Sequence, residues 1–221
     1  MFQDEAVRLR SVNPQSQAKD TKQPHMEGIM PSLTLFPKST ALVLIDLQKG
    51  ITSLPAEPHS TEVVVENASL LANQFRDLDA PVFLVRVAFP SGPPALNLIT
   101  DAKAPLPARE PEGWYEPAVK PQENDVLILK RQWGAFYGTE LDLQLRRRHV
   151  DTIVIGGIAT NFGVESTARS AYELGYQVVL VEDSMTSFSK TQHDFATQNI
   201  FPRLGRVRTT VEIIRALREA D

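Results

Sequence analysis

Cysteine is absent from all 221 residues of the chain. That excludes disulfides, thiolate-held metals and thiol nucleophiles at every position. Histidine is scarce: His25, His59, His149 and His193 are scattered, with neither i,i+4 nor Asp-x-His spacing, so neither a metal site nor a cofactor is expected. No apolar run approaches the ~20 residues that cross a bilayer. Residues 1–38 lack the continuous hydrophobic core of a Sec-type signal. Neither sign of charge predominates: 23 basic side chains against 27 acidic ones leave a net charge of −4, which speaks against nucleic acid or an anionic membrane as partner. The Arg146-Arg147-Arg148-His149 run reads more simply as charge complementing the end of a helix than as a nucleic-acid patch. These absences point to a cytoplasmic protein.

What is present is ordinary for one α/β domain: 42% hydrophobic and 23% charged residues over a length that supports one full core. Residues 1–38 are polar, with Pro14, Pro24, Pro31 and Pro37, and read as a flexible N-terminal arm ahead of a domain at 39–221. Short apolar runs at 41–45, 81–87, 126–129, 152–155 and 177–181 read as buried strands, with a last short strand at 206–208. Helical spacing appears at 60–78, 139–148 and 164–174, from about 190, and at 209–217, with Gly175 placed to stop the third of these. The alternation predicts a single-domain, doubly wound parallel sheet with helices on both faces, a three-layer α/β sandwich. A long proline-rich insert at 88–124 reads as a functional loop or lid. In such sheets ligands bind beyond the carboxyl ends of the strands. Three features fall there: Asp46, Lys130 and the glycine-lined turn at 156–163.

The turn is the most specific of them. Gly156-Gly157-Ile158-Ala159-Thr160-Asn161-Phe162-Gly163-Val164-Glu165-Ser166-Thr167-Ala168 joins a strand to a helix, so its backbone N–H groups face the site where oxyanions are stabilised. Together with Leu44-Ile45-Asp46-Leu47-Gln48 and Lys130-Arg131-Gln132-Trp133-Gly134-Ala135-Phe136, it resembles the three motifs of the isochorismatase-like (cysteine hydrolase) superfamily, in order and in register from about residue 39 to 217. The resemblance implies a catalytic aspartate at Asp46, a catalytic lysine at Lys130, a cis peptide bond at Ile158–Ala159, and a cis-peptide and oxyanion loop over Ile158, Ala159, Thr160, Asn161 and Phe162. It implies a substrate pocket that includes Gln48, Trp133 and Phe136, and self-association as a dimer or tetramer. Where most of the family has its nucleophilic cysteine, this chain has Gly163, as in a cysteine-less subgroup.

With Gly163 the covalent step is closed. An aspartate in a semi-buried pocket serves as a general acid if burial raises its pKa, or as a base if Lys130 keeps it ionised. Isochorismatases resemble this arrangement: they lack the cysteine and cleave a vinyl ether by protonating carbon. The resemblance therefore implies a hydrolase without cysteine chemistry, acting on a small anionic substrate such as an enol ether; a catalytically inactive small-molecule-binding pseudoenzyme of the same fold is the alternative. The absence of the nicotinamidase Asp-x-His after the first motif argues against that activity. Blander roles stay open: Asp46 as a turn residue, Asn161 as a shaper of the turn, Trp133 and Phe136 as core, and Ser166 and Thr167 as capping or packing groups rather than nucleophiles.

Overall fold

A computed structural model describes residues 33–88, 101 and 112–219. Residues 1–32 of the expected arm, and most of the proline-rich insert, lie outside the described residues. Among the described residues six strands form one all-parallel sheet, in the order β3-β2-β1-β4-β5-β6. The strands are β1 (Thr40–Ile45), β2 (Val82–Val87), β3 (Val126–Lys130), β4 (Thr152–Ile158), β5 (Gln177–Thr186) and β6 (Arg206–Arg208). The helices are α1 (Lys49–Thr52), α2 (Thr61–Asp77), α3 (Leu141–Arg147), α4 (Glu165–Glu173), α5 (Lys190–Phe195), α6 (Phe201–Leu204) and α7 (Thr210–Arg218).

β1 is buried at all six positions because both faces of the sheet are covered. Leu42 and Leu44 turn toward one core, with Val64, Leu71 and Phe75 of α2 and Ile213 and Leu217 of α7. Ala41, Val43 and Ile45 turn toward the other, with Leu141 and Leu145 of α3, Ala168 of α4 and Phe201 of α6. A strand buried on both sides reads as a continuous apolar run, as β1 does. Leu35 also enters the first core at 2% exposure, and its N–H bonds to the Ala216 carbonyl, so packing begins before residue 39.

Local chemistry sets the helix ends. The Ser60 hydroxyl accepts from the Val63 N–H at the start of α2, and Thr209 and Glu212 form a reciprocal capping box at the start of α7. After α4, Gly175 adopts φ +84°, and the Tyr176 and Gly175 N–H groups close back onto the carbonyls of Ala171 and Tyr172. The helix expected from about residue 190 is interrupted: a π-helical turn over Ala196–Ile200 separates α5 from α6, where Pro202 lacks the N–H that would continue the ladder.

β5 runs five residues past the end predicted for it. Its pairing with β4 steps from Ile155↔Leu180 to Gly157↔Met185, so the intervening residues of β5 bulge out. Gly157 permits close approach at this place: at φ +130°, a Cβ there would stand 2.1 Å from the Ile45 carbonyl oxygen of β1.

Candidate active site at the carboxyl edge of the sheet

The strand order reverses between β1 and β4: β1 leads outward to β2 and β3, and β4 leads outward to β5 and β6. A crevice opens beyond the strand ends at such a switch point. Asp46 stands directly after β1, and the turn carrying Gly163 stands directly after β4. Asp46 holds a left-handed conformation, φ +53°, while its N–H still bonds to the Val85 carbonyl at 2.8 Å. The chain thus leaves the sheet at this residue, with the carboxyl kept at the edge.

Lys130 closes β3 and is 2% exposed. Its ammonium stands 2.7 Å from Asp46 Oδ2 and donates to the carbonyls of Gln132, at 3.0 Å, and Trp133, at 2.9 Å. An ammonium has three protons, and three acceptors take them. Asp46 Oδ1 is buried and has no hydrogen-bond partner among the described residues. The nearby Val87 N–H, a lesser influence on the carboxyl, is engaged by Gln48 Oε1 at 3.0 Å. Burial pushes the Asp46 carboxyl up to about 6, against the opposing pull of the Lys130 charge and hydrogen bond.

The Gly163 turn reaches the same place. The Ile158–Ala159 peptide bond is cis, and Thr160–Val164 forms a π-helical turn that runs into α4. A Cβ on Gly163 would lie 3.0 Å from Ile45 Cγ2, 3.1 Å from Asp46 Oδ2 and 3.4 Å from the Trp133 carbonyl oxygen. The structure therefore brings Asp46, Lys130 and Gly163 together. Thr167 ties the turn to the 131–136 loop: its hydroxyl donates to the Gly163 carbonyl at 2.6 Å and accepts from the Ala135 N–H at 3.0 Å. Within the turn, the N–H groups of Phe162 and Val164 are spent on the Ala159 carbonyl. Asn161 Oδ1 accepts from the Ser187 hydroxyl.

The residues expected to line a pocket divide. Trp133 is 62% exposed and meets the Phe162 ring edge to face at 4.9 Å, and Phe162 in turn lies 6.5 Å from Phe188, making an aromatic rim across the 131–136 loop, the Gly163 turn and the residues after β5. Phe136 packs beside Tyr176, 5.9 Å between centroids, against the α3–α4 core. Gln48 gives both polar ends of its side chain to the backbone of Val87, which ties the end of β1 to the end of β2. Beyond Gln48, the described part of the insert returns to the edge: Ala118 N–H bonds to the Leu47 carbonyl, and the Trp114 ring lies over Gly50. A cleft of about 660 Å³, lined by Lys38, Arg76, Asp79, Pro81 and Asp125, sits at the opposite edge, where β1, β2 and β3 begin.

One cluster escaped the sequence reading. His59 and His193, far apart in the chain, meet at Glu182 on the bulge of β5: His59 Nε2 lies 2.8 Å and His193 Nε2 3.3 Å from the same oxygen, Oε1. Hydrogen bonds from His193 and His59 hold the Glu182 carboxyl down at about 2. His193 Nδ1 pairs with the Thr160 hydroxyl at 2.9 Å, next to the cis bond. The signal available was positional: Glu182 follows the apolar run of the fifth strand, at the same sheet edge as Asp46. Among the described residues no helix is long and apolar enough to cross a membrane.

Residues 40–212 match the isochorismatase domain model. The isochorismatase family protein YecD of Escherichia coli O157:H7 is 50% identical over 188 residues, 84% of this chain and 100% of YecD. YwoC of Bacillus subtilis, named for the same family, is 46% identical over 193 residues, 86% of this chain and 100% of its own. An isochorismatase family protein from Burkholderia thailandensis superposes with a TM-score of 0.80 at 46% identity, covering 85% of this chain and 99% of that one. A parallel sheet with an aspartate, a lysine and a cis-peptide turn at its switch point, together with these likenesses, places the chain in the isochorismatase family.

Proposed function

We propose that the protein is a cysteine-independent hydrolase of a small enol ether, with Asp46 as the general acid and base, Lys130 as its fixed counter-charge and Gly163 as the space left for substrate. The observation that carries the reading is the buried Asp46 carboxyl: one oxygen is engaged by an ammonium at 2.7 Å, the other is free of hydrogen bonds among the described residues, and its pKa is pushed up to about 6. Oδ2 faces Lys130, so the proton belongs on Oδ1. At pH 7 about a tenth of the carboxyl is protonated, enough for a general acid near its working pH.

The chemistry balances with these groups and water. Oδ1–H protonates the terminal vinyl carbon, forming a C–H bond and an oxocarbenium ion, while the carboxylate left behind is held by Lys130. Water adds to the cationic carbon and gives its proton to the carboxylate. The hemiketal collapses to a carbonyl compound and an alcohol, breaking the C–O bond, and Asp46 is again protonated. The aromatic rim of Trp133, Phe162 and Phe188 supports a planar, unsaturated substrate. Isochorismate is the first candidate of this class, and the protein acts as a homo-oligomer in this reading.

The test is turnover of isochorismate and a panel of enol ethers and amides by the wild type and Asp46→Asn. The reading expects enol-ether cleavage that rises as pH falls from 8 toward 6 and is lost in D46N. Saturable ligand binding with no turnover on any member of the panel would establish the inactive binding protein instead. Gly163→Cys tests the placement: a gain of amidase activity shows that Asp46 and Lys130 can serve a thiolate from this turn.

A further inference from the structure

We propose that His59, Glu182 and His193 form a binding site for one borderline divalent cation, of which zinc is the best fit, that clasps the segment before α2 to β5 and α5. The three ligand atoms lie within 4.8 Å of one another. Around tetrahedral zinc, with bonds of about 2.0–2.1 Å, neighbouring ligand atoms stand roughly 3.3–3.4 Å apart. The His193 Nε2 to Glu182 Oε1 separation of 3.3 Å already matches, and the His59 separation of 2.8 Å is about half an ångström short of it. Two imidazoles and a carboxylate are the donor set that suits zinc and its neighbours rather than magnesium or calcium.

His193 is held through its second ring nitrogen, and His59 and Glu182 stand on anchored backbone, which distinguishes this cluster from a chance meeting of surface groups. His193 is 1% exposed, and its Nδ1 is fixed by the Thr160 hydroxyl at 2.9 Å, so Nε2 is the nitrogen turned to Glu182. Glu182 stands on the bulge of β5. The His59 carbonyl accepts from the Thr186 hydroxyl at 2.8 Å, and Glu57 and Ser187 exchange backbone hydrogen bonds at 2.8 and 3.0 Å two residues away. The imidazoles of His59 and His193 stand nearly perpendicular, 82° between planes, with centroids 5.5 Å apart. The His59 and Glu182 side chains are 27% and 34% exposed, so an ion can enter from solvent and complete its coordination with water. Because His193 also holds Thr160, an ion here stiffens the turn that carries Gly163 without touching Asp46.

The experiment titrates chelator-treated, full-length protein with Co²⁺ and, separately, with Zn²⁺. Calorimetry gives stoichiometry, visible absorption of Co²⁺ gives coordination, and the thermal midpoint gives the stabilisation. The expected result is one ion per chain, ligand-field bands of a four- or five-coordinate site, and a midpoint raised by zinc. His59→Ala and Glu182→Gln, both at partly exposed positions, remain folded and bind at least about tenfold more weakly. No stoichiometric binding by folded wild type overturns the proposal. So does binding undiminished in both variants, which would locate an adventitious ion elsewhere. These readouts need no substrate, so they stand or fall apart from the enol-ether reading.

Discussion

Asp46→Asn should change how stability depends on pH, by an amount the structure sets. The Asp46 carboxyl is almost wholly buried and titrates at about 6 in the folded protein, against 3.8 for an ordinary aspartate. Between those values the folded chain holds a proton that the unfolded chain has released. Stability contributed by this group is therefore fully present below about pH 3.8 and is lost as pH rises through 6. A gap of about two units corresponds to about 3 kcal/mol, at 1.36 kcal/mol per unit. For a protein of this size 1 kcal/mol moves the midpoint by about 2–4 °C, so the loss amounts to roughly 6–12 °C. Asparagine keeps the shape and cannot titrate. Thermal melts of wild type and D46N at intervals from pH 4 to pH 7 measure the effect, and contributions common to both proteins cancel in the difference. The wild-type midpoint should fall relative to that of D46N across this window. Profiles that stay parallel within about 2 °C would refute the argument that burial outweighs Lys130 at this carboxyl.

Other perturbations follow from the same contacts. Gly163→Ala presses a methyl group against Ile45 and the Asp46 carboxylate at 3.0–3.1 Å and should cost about 1–2 kcal/mol in denaturant unfolding, overpacking exceeding the helical gain from alanine. Gly157→Ala meets a carbonyl oxygen at 2.1 Å in a left-handed backbone and should yield little soluble protein. Thr167→Val leaves the buried Ala135 N–H unpaired and should lower unfolding free energy by about 1–3 kcal/mol. Trp133→Ala, at a 62% exposed side chain, should leave stability within about 0.5 kcal/mol, while it weakens saturation by a planar substrate in the cleavage assay.

The features that were legible in the sequence are those that local chemistry fixes. The continuous apolar run of β1 follows from burial on both faces, and Gly175 marks the end of α4 because a left-handed residue is needed there. Asp46, Lys130 and Gly163 fall together because the ends of parallel strands share one edge, so three distant motifs could be referred to one place. What was not legible depends on pairing across the sheet. The extension of β5 through a bulge is set by its register with β4 and has no signal within residues 181–186. The meeting of His59 with His193 depends on that bulge, because Glu182 stands on it. Gln48 sits in a motif, yet its amide is spent on Val87, a contact that only the parallel neighbour of β1 reveals.

The reversal of strand order at β1 and β4 has a consequence for how such a protein can change. The carboxylate and the ammonium are carried by the first three strands, whereas the turn with Gly163 is carried by the last three. Each half of the chain thus encodes an incomplete set of reactive groups, and the set is assembled only where the halves abut. If the proposed function holds, a single codon at position 163 adds or removes a nucleophile while the half that carries Asp46 and Lys130 is left untouched. On that proposal one scaffold passes between covalent and acid-catalysed reactions by a change confined to the turn after β4.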